Sequence, residues 1–221
     1  MGSMNRATVD RQAREIAFPI LESLCNARGC RVPDLHIVEC LPGGSMTTAR
    51  ASRVQGSGTI EIPASLVLSL SRPALSYLLG HELGHIVLKR SFAVLLRRAV
   101  WALFWVFGLI PFACVAAAIS GGGPEIFLIG VGSVLMTVPV IAVVTALLRK
   151  HEADCDLFSV RLEGNLAGAL EHLGNHAAAA ERKKPQTLWV RMLAHHPSDV
   201  RRMELLLRHA RKAGYPNRSR N

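Results

Sequence analysis

From Trp101 to Leu148 the chain has no lysine, arginine or aspartate, and Glu125 is the only charged residue there. The basic excess, 26 lysines and arginines against 16 acidic residues for a formal charge of +10, is therefore confined to the two ends. Half of the 221 residues are hydrophobic and the mean hydropathy is +0.26, which fits such a charge only if apolar and basic residues are segregated. The opening stretch has no apolar run behind its basic residues, so it does not read as a secretory signal. Five cysteines, an odd number without a C-x-x-C pair, point away from a disulfide framework and towards reduced thiols in a cytoplasmic compartment. No internal repeat is visible, and no nucleic-acid-binding module accompanies the basic residues.

The uncharged stretch divides at SGGGPE into two apolar runs, Ala99–Ser120 and Ile126–Leu148. Each is about 22 residues long, close to the roughly 20 that cross a hydrocarbon core of about 30 Å. The Gly/Pro punctuation between them reads as a tight turn, which predicts a two-helix transmembrane hairpin. Pro111 and Pro139 are better tolerated in such helices than in soluble ones. Lys89, Arg90, Arg97 and Arg98 precede the first run, Arg149 and Lys150 follow the second, and the turn has no basic residue. The positive-inside rule then puts both outer ends in the cytoplasm, giving a multi-pass protein of the cell membrane.

The predicted organisation is a catalytic body made from residues 1–98 and 149–221, interrupted by the hairpin at 99–148. Its class is α+β, mainly α, with a small sheet. Ile16, Ile20, Leu21 and Leu24 give helical periodicity over residues 8–28, closing near Gly29. PDLHIVEC and TIEIP read as strands, and SMTTARASRV as an edge strand. A helix capped by Ser71 or Ser65 runs on to about Arg90, and helices are expected from near Lys150, over 167–182, and through HPSDVRRMELLLRHARKA.

The stretch SYLLGHELGHIVLKR carries the chemistry. On a helix, His81 and His85 are four apart and share a face, so both imidazoles can address one ion. Zinc takes such ligands and leaves a position for water, while Glu82 stands beside them to take a proton from that water. A metzincin continuation is closed, because Leu88 and Ser91 stand where glycine and histidine would be needed. The segment RKHEADCDLFSV after the hairpin offers Glu152 as the third ligand, with His151 and Asp154 as rivals. Asp156, four residues on, is placed to accept the second N–H of a ligand histidine.

TIEIPASLVLSLSRPALSYLLGHELGHI resembles the strand, helix and metal-binding helix of the HtpX-like membrane metallopeptidases. That gluzincin group includes the CAAX prenyl endopeptidases. The likeness continues through the hairpin to Glu152 and Asp156, which match E-x-x-A-D with Cys155 in place of alanine. It ends at HHPSDVRRMELL, where His196, Pro197 and Arg202 match H-P-x-x-x-x-R, and it covers about residues 33 to 207. The resemblance implies peptide-bond hydrolysis with one zinc per chain, held by His81, His85 and Glu152, and Glu82 as base. His196 is the candidate donor to the oxyanion, with Arg202 as a structural or secondary electrostatic partner. An extended substrate can add to the edge around Met46, Thr47, Thr48, Ala49 and Arg50. Two departures matter. The two further spans usual before the catalytic part in HtpX proteins are not among these residues, and the family's N-A-F-A-like strand is represented only by SMTTAR.

The expected activity is a zinc endopeptidase cleaving membrane or misfolded proteins at the cytoplasmic face. EADCD also resembles the E-x-x-C-D of BlaR-type sensor peptidases, which stand as the alternative beside a catalytically silent membrane adaptor. Arg201, Arg202, Arg208, Arg211, Lys212, Arg218 and Arg220 suggest contact with anionic lipid headgroups; no nucleic-acid partner is expected.

Overall fold

A computed structural model describes residues 6–39, 49–54, 57–88, 112–117, 119–121, 123–164, 166–181 and 198–213, with the single positions 98, 101 and 109. The chain divides into two compact units. One comprises Met1–Lys89, Glu152–Lys184 and Pro197–Asn221; the other comprises Arg90–His151 and Pro185–His196.

The first unit opens with helix α1, Arg6–Arg28, whose buried residues Ala13, Ala17, Ile20, Leu21 and Leu24 recur every three to four positions along one stripe. The helix stops where its sequence supplies a glycine. Gly29 adopts φ +68°, and its N–H reaches Asn26 O at 3.1 Å while that of Cys30 reaches Cys25 O at 3.0 Å. This double closure satisfies carbonyls that a helix end otherwise leaves orphaned, and a side chain would be strained at such a φ.

Strands β1 (Asp34–Val38), β2 (Arg50–Val54) and β3 (Ser57–Pro63) form one sheet in the order β1-β3-β2. β1 runs parallel to β3, and β2 antiparallel to it. The central strand sends Ile60 and Ile62 into the core, both without exposed surface. Helix α2 (Ala64–Ser69) follows directly. Ser71 then caps α3 (Arg72–Val87), its side chain accepting from Ala74 N at 3.3 Å, with Pro73 in the first turn. α3 is buried almost continuously from Ala74 to Gly84, so it is a central helix with apolar residues on every side. Leu75, Leu79 and Leu83 pack with α1 and β3; each buried leucine stabilises the fold by about 1.5–3 kcal/mol.

Helix α4 spans Pro124–Glu163, and its residues from Glu152 onward belong to the first unit. The sequence suggested a fresh helix near Lys150. Instead α4 continues without a break, because Leu147, Leu148, Arg149, Lys150 and His151 contain no residue that stops a helix. α4 closes at Gly164, with φ +69°. α5 (Ala167–Glu181) and α6 (Asp199–Ala213) complete the unit. Tyr77, Val160, Ala169, Leu173 and Leu206, one or more from each of α3 to α6, form a second small core.

In the second unit residues 112–117 are helical, and Gly121, at φ +92°, lies in the turn expected at SGGGPE. Most of the first apolar run falls outside the described residues, and the second lies within α4. Among the described residues no helix is long and apolar enough to cross a membrane. Phe112, Ile119 and Leu128 are 79%, 82% and 67% exposed, an unusual disposition for side chains of this size.

Candidate metal centre

Two helices make the centre. α3 contributes His81 and His85, brought to one face by their spacing. α4 contributes Glu152, Cys155 and Asp156, which three- and four-residue steps likewise bring to one face. Glycine lets the helices meet closely. A Cβ on Gly84 would stand 3.2 Å from Cys155 Cα, and one on Gly80 would collide with Ser159 Oγ. Ser159 uses that space to donate to the Tyr77 carbonyl at 2.7 Å.

His81 Nε2 lies 3.1 Å from His85 Nε2 and 3.5 Å from Glu152 Oε2, while His85 Nε2 is 3.6 Å from Glu152 Oε1. Ligands about 2.0–2.1 Å from one tetrahedral zinc stand about 3.3–3.4 Å from each other. The spacing of these three donors therefore suits a single small cation. Their chemistry, two imidazole nitrogens and a carboxylate oxygen, suits zinc.

A hydrogen bond behind His81 sets its tautomer. His81 Nδ1 donates to Asp156 Oδ1 at 2.8 Å, leaving the Nε2 lone pair on the ligand side. Asp156 is 1% exposed and tightly held. Tyr77 OH donates to its Oδ1 at 2.7 Å, Arg202 Nε donates to its Oδ2 at 2.8 Å, and Arg202 Nη2 donates to Oδ1. Arg202 also reaches Asp199 Oδ1 at 3.4 Å.

The charges follow from this packing. Burial would raise the Asp156 carboxyl, but hydrogen bonds from Arg202 and His81 outweigh it and hold the group below the usual carboxylate range. For His81 burial opposes the charge, yet bonds to Asp156 and Glu152 and the nearby charge of Glu82 carry it up to about 9. A metal and a proton thus compete for the same nitrogen, as expected of a histidine ligand. Burial pushes the Cys155 thiol up, with the charges of Glu152 and Asp156 adding to the effect, so it stays neutral. Glu82 is 6% exposed, directly beside His81 in sequence.

The structure brings His81, His85, Glu152 and Asp156 together, with Glu82 at their side. Asp154, a rival ligand, is exposed. Arg202, read from sequence as a structural or secondary electrostatic partner, binds Asp156, with Met203 and Leu206 of the same helix packed in the small core beside Tyr77 and Leu173. Met46, Thr47, Thr48 and His196 lie outside the described residues; Ala49 and Arg50 stand at the start of β2, an outer strand of the sheet. Sequence reasoning missed Tyr77 and Ser159. Tyr77 lies one turn before His81 and Ser159 one turn after Cys155, a spacing that could have drawn attention to both.

Comparison with known proteins places residues 50–210 in a match to Peptidase family M48. No curated protein and no solved structure matches the chain.

Proposed function

The chain belongs to Peptidase family M48, and from that premise we propose that it is a zinc-dependent endopeptidase acting on membrane or misfolded proteins, in the manner of the HtpX-like group. The observation that carries the reading is the mutual spacing of His81, His85 and Glu152, 3.1–3.6 Å between donor atoms on two helices. Zinc held there would supply Lewis-acid polarisation of the scissile carbonyl and a water of lowered pKa.

The remaining work falls to the protein. Glu82 accepts the proton of the attacking water and passes it to the leaving nitrogen. Asp156 holds the His81 Nδ1 proton, so that Nε2 faces the metal. Arg202 and Tyr77 fix Asp156, which makes Arg202 a positioning residue. His196 remains the proposed donor to the oxyanion. Proteolysis of casein by the detergent-solubilised chain tests the reading: a chelator should abolish cleavage and added zinc restore it, whereas chelator-resistant cleavage would contradict it.

An extended substrate adds to the sheet at its β2 margin, next to Ala49 and Arg50. Consecutive N–H groups of a strand face opposite edges, so proline at whichever of Ala49 and Arg50 faces outward removes a backbone donor from that margin. KM for casein should then rise several-fold with kcat little changed. An unchanged KM would place substrate elsewhere.

Membrane attachment with the catalytic part in the cytoplasm is supported by the exposed apolar side chains of the second unit and by the arginines and lysines flanking the apolar runs. Arg201, Arg208, Arg211 and Lys212 are exposed on α6 and suited to anionic headgroups. The physiological setting proposed is quality control next to the bilayer.

A further inference from the structure

We propose that Cys155 is a positioning residue for His85, accepting the Nδ1 proton of that imidazole and so presenting Nε2 to the metal. The inference rests on the reading of His81, His85 and Glu152 as ligands. Cys155 Sγ lies 3.5 Å from His85 Nδ1, within reach of a sulfur hydrogen bond, and the residue has no exposed surface. A histidine bound to a metal through Nε2 carries its proton on Nδ1, and that proton needs an acceptor. α4 therefore delivers three functions in five residues: a ligand in Glu152, an acceptor for His85 in Cys155, and an acceptor for His81 in Asp156.

The two acceptors are unequal. Asp156 is a charged carboxylate at 2.8 Å, itself fixed by Tyr77 and Arg202. Cys155 offers a sulfur, a weak acceptor at a longer distance. The strength of the metal site is set partly by this contact. Direct ligation by Cys155 to the same ion is disfavoured by direction. The sulfur lies on the Nδ1 side of the ring, whereas Nε2 faces His81 Nε2 and the Glu152 carboxylate. Gly84 is part of the device, since a side chain there would crowd Cys155 Cα and Cβ, both 3.2 Å from its Cβ.

The test uses the full chain in detergent, loaded with cobalt(II) or zinc and titrated against a competing chelator. Cys155→Ala should keep one metal per chain but bind it about tenfold more weakly, the low end of losses seen when a group behind a metal ligand is removed. Cys155→Ser, which restores an acceptor of similar size, should recover part of that loss. Cys25→Ala, a change at a buried cysteine of α1, should leave metal affinity and KM unchanged. The cobalt-loaded wild type should lack a thiolate-to-cobalt charge-transfer band. Wild-type affinity in Cys155→Ala, or such a band in wild type that Cys155→Ala abolishes, would overturn the assignment while leaving the histidine and glutamate reading intact. A wild type that binds no metal would overturn both.

Discussion

Glu82→Gln is expected to keep its metal and lose hydrolysis, with kcat falling by roughly 10²–10⁴-fold, the usual share of a general base. Glutamine preserves size and hydrogen bonding but cannot accept the water proton. The side chain is buried next to His81 on the same helix, while the three closely spaced donors come from His81, His85 and Glu152. Metal content should therefore match wild type as casein cleavage disappears. A Gln variant that cleaves at the wild-type rate would move the base to another residue.

The largest effect on stability is expected from Arg202→Met. Arg202 and Asp156 form a pair whose side chains are 12% and 2% exposed. Removing one partner leaves the other charge buried, at a cost of about 3–5 kcal/mol. Discounting somewhat for the partial exposure of Arg202, thermal melting should still drop by on the order of 10 °C. The pH dependence has a defined sign. Asp156 is held below its ordinary value of 3.8, so its contribution is present above that value and is lost as pH falls towards the native pKa. Arg202→Met should weaken that acid dependence, and Asp156→Asn combined with Arg202→Met should recover part of the lost stability. A single variant that melts with wild type would show that the pair contributes nothing net.

The local features of the centre were legible in the sequence and the long-range ones were not. Helical spacing fixes which side His81 and His85 share, and the same rule ties Glu152 to Asp156, so these pairings need no tertiary information. The cap at Ser71 and the stop at Gly29 follow from side-chain and backbone chemistry within a few residues. Tyr77 meets Asp156 across 79 positions, and only the packing of α3 against α4 brings them into contact. Gly80 and Gly84 look like weak points of a helix when read by propensity alone; their value lies in the close approach they permit. Arg202 was read only as a structural or secondary electrostatic partner, because its bond to the buried Asp156 carboxylate spans 46 positions and no local spacing announces it. The continuity of α4 past Leu148 was hidden by the change in composition there, from apolar to charged, which alters a helix's surroundings without ending it.

The central claim is that α3 and α4 jointly hold one divalent ion, and metal counting on purified variants tests it most directly. Wild type and Asp154→Ala should each carry one zinc per chain, whereas His81→Ala and Glu152→Ala should carry almost none after the same dialysis. A full complement of zinc in Glu152→Ala would contradict the account.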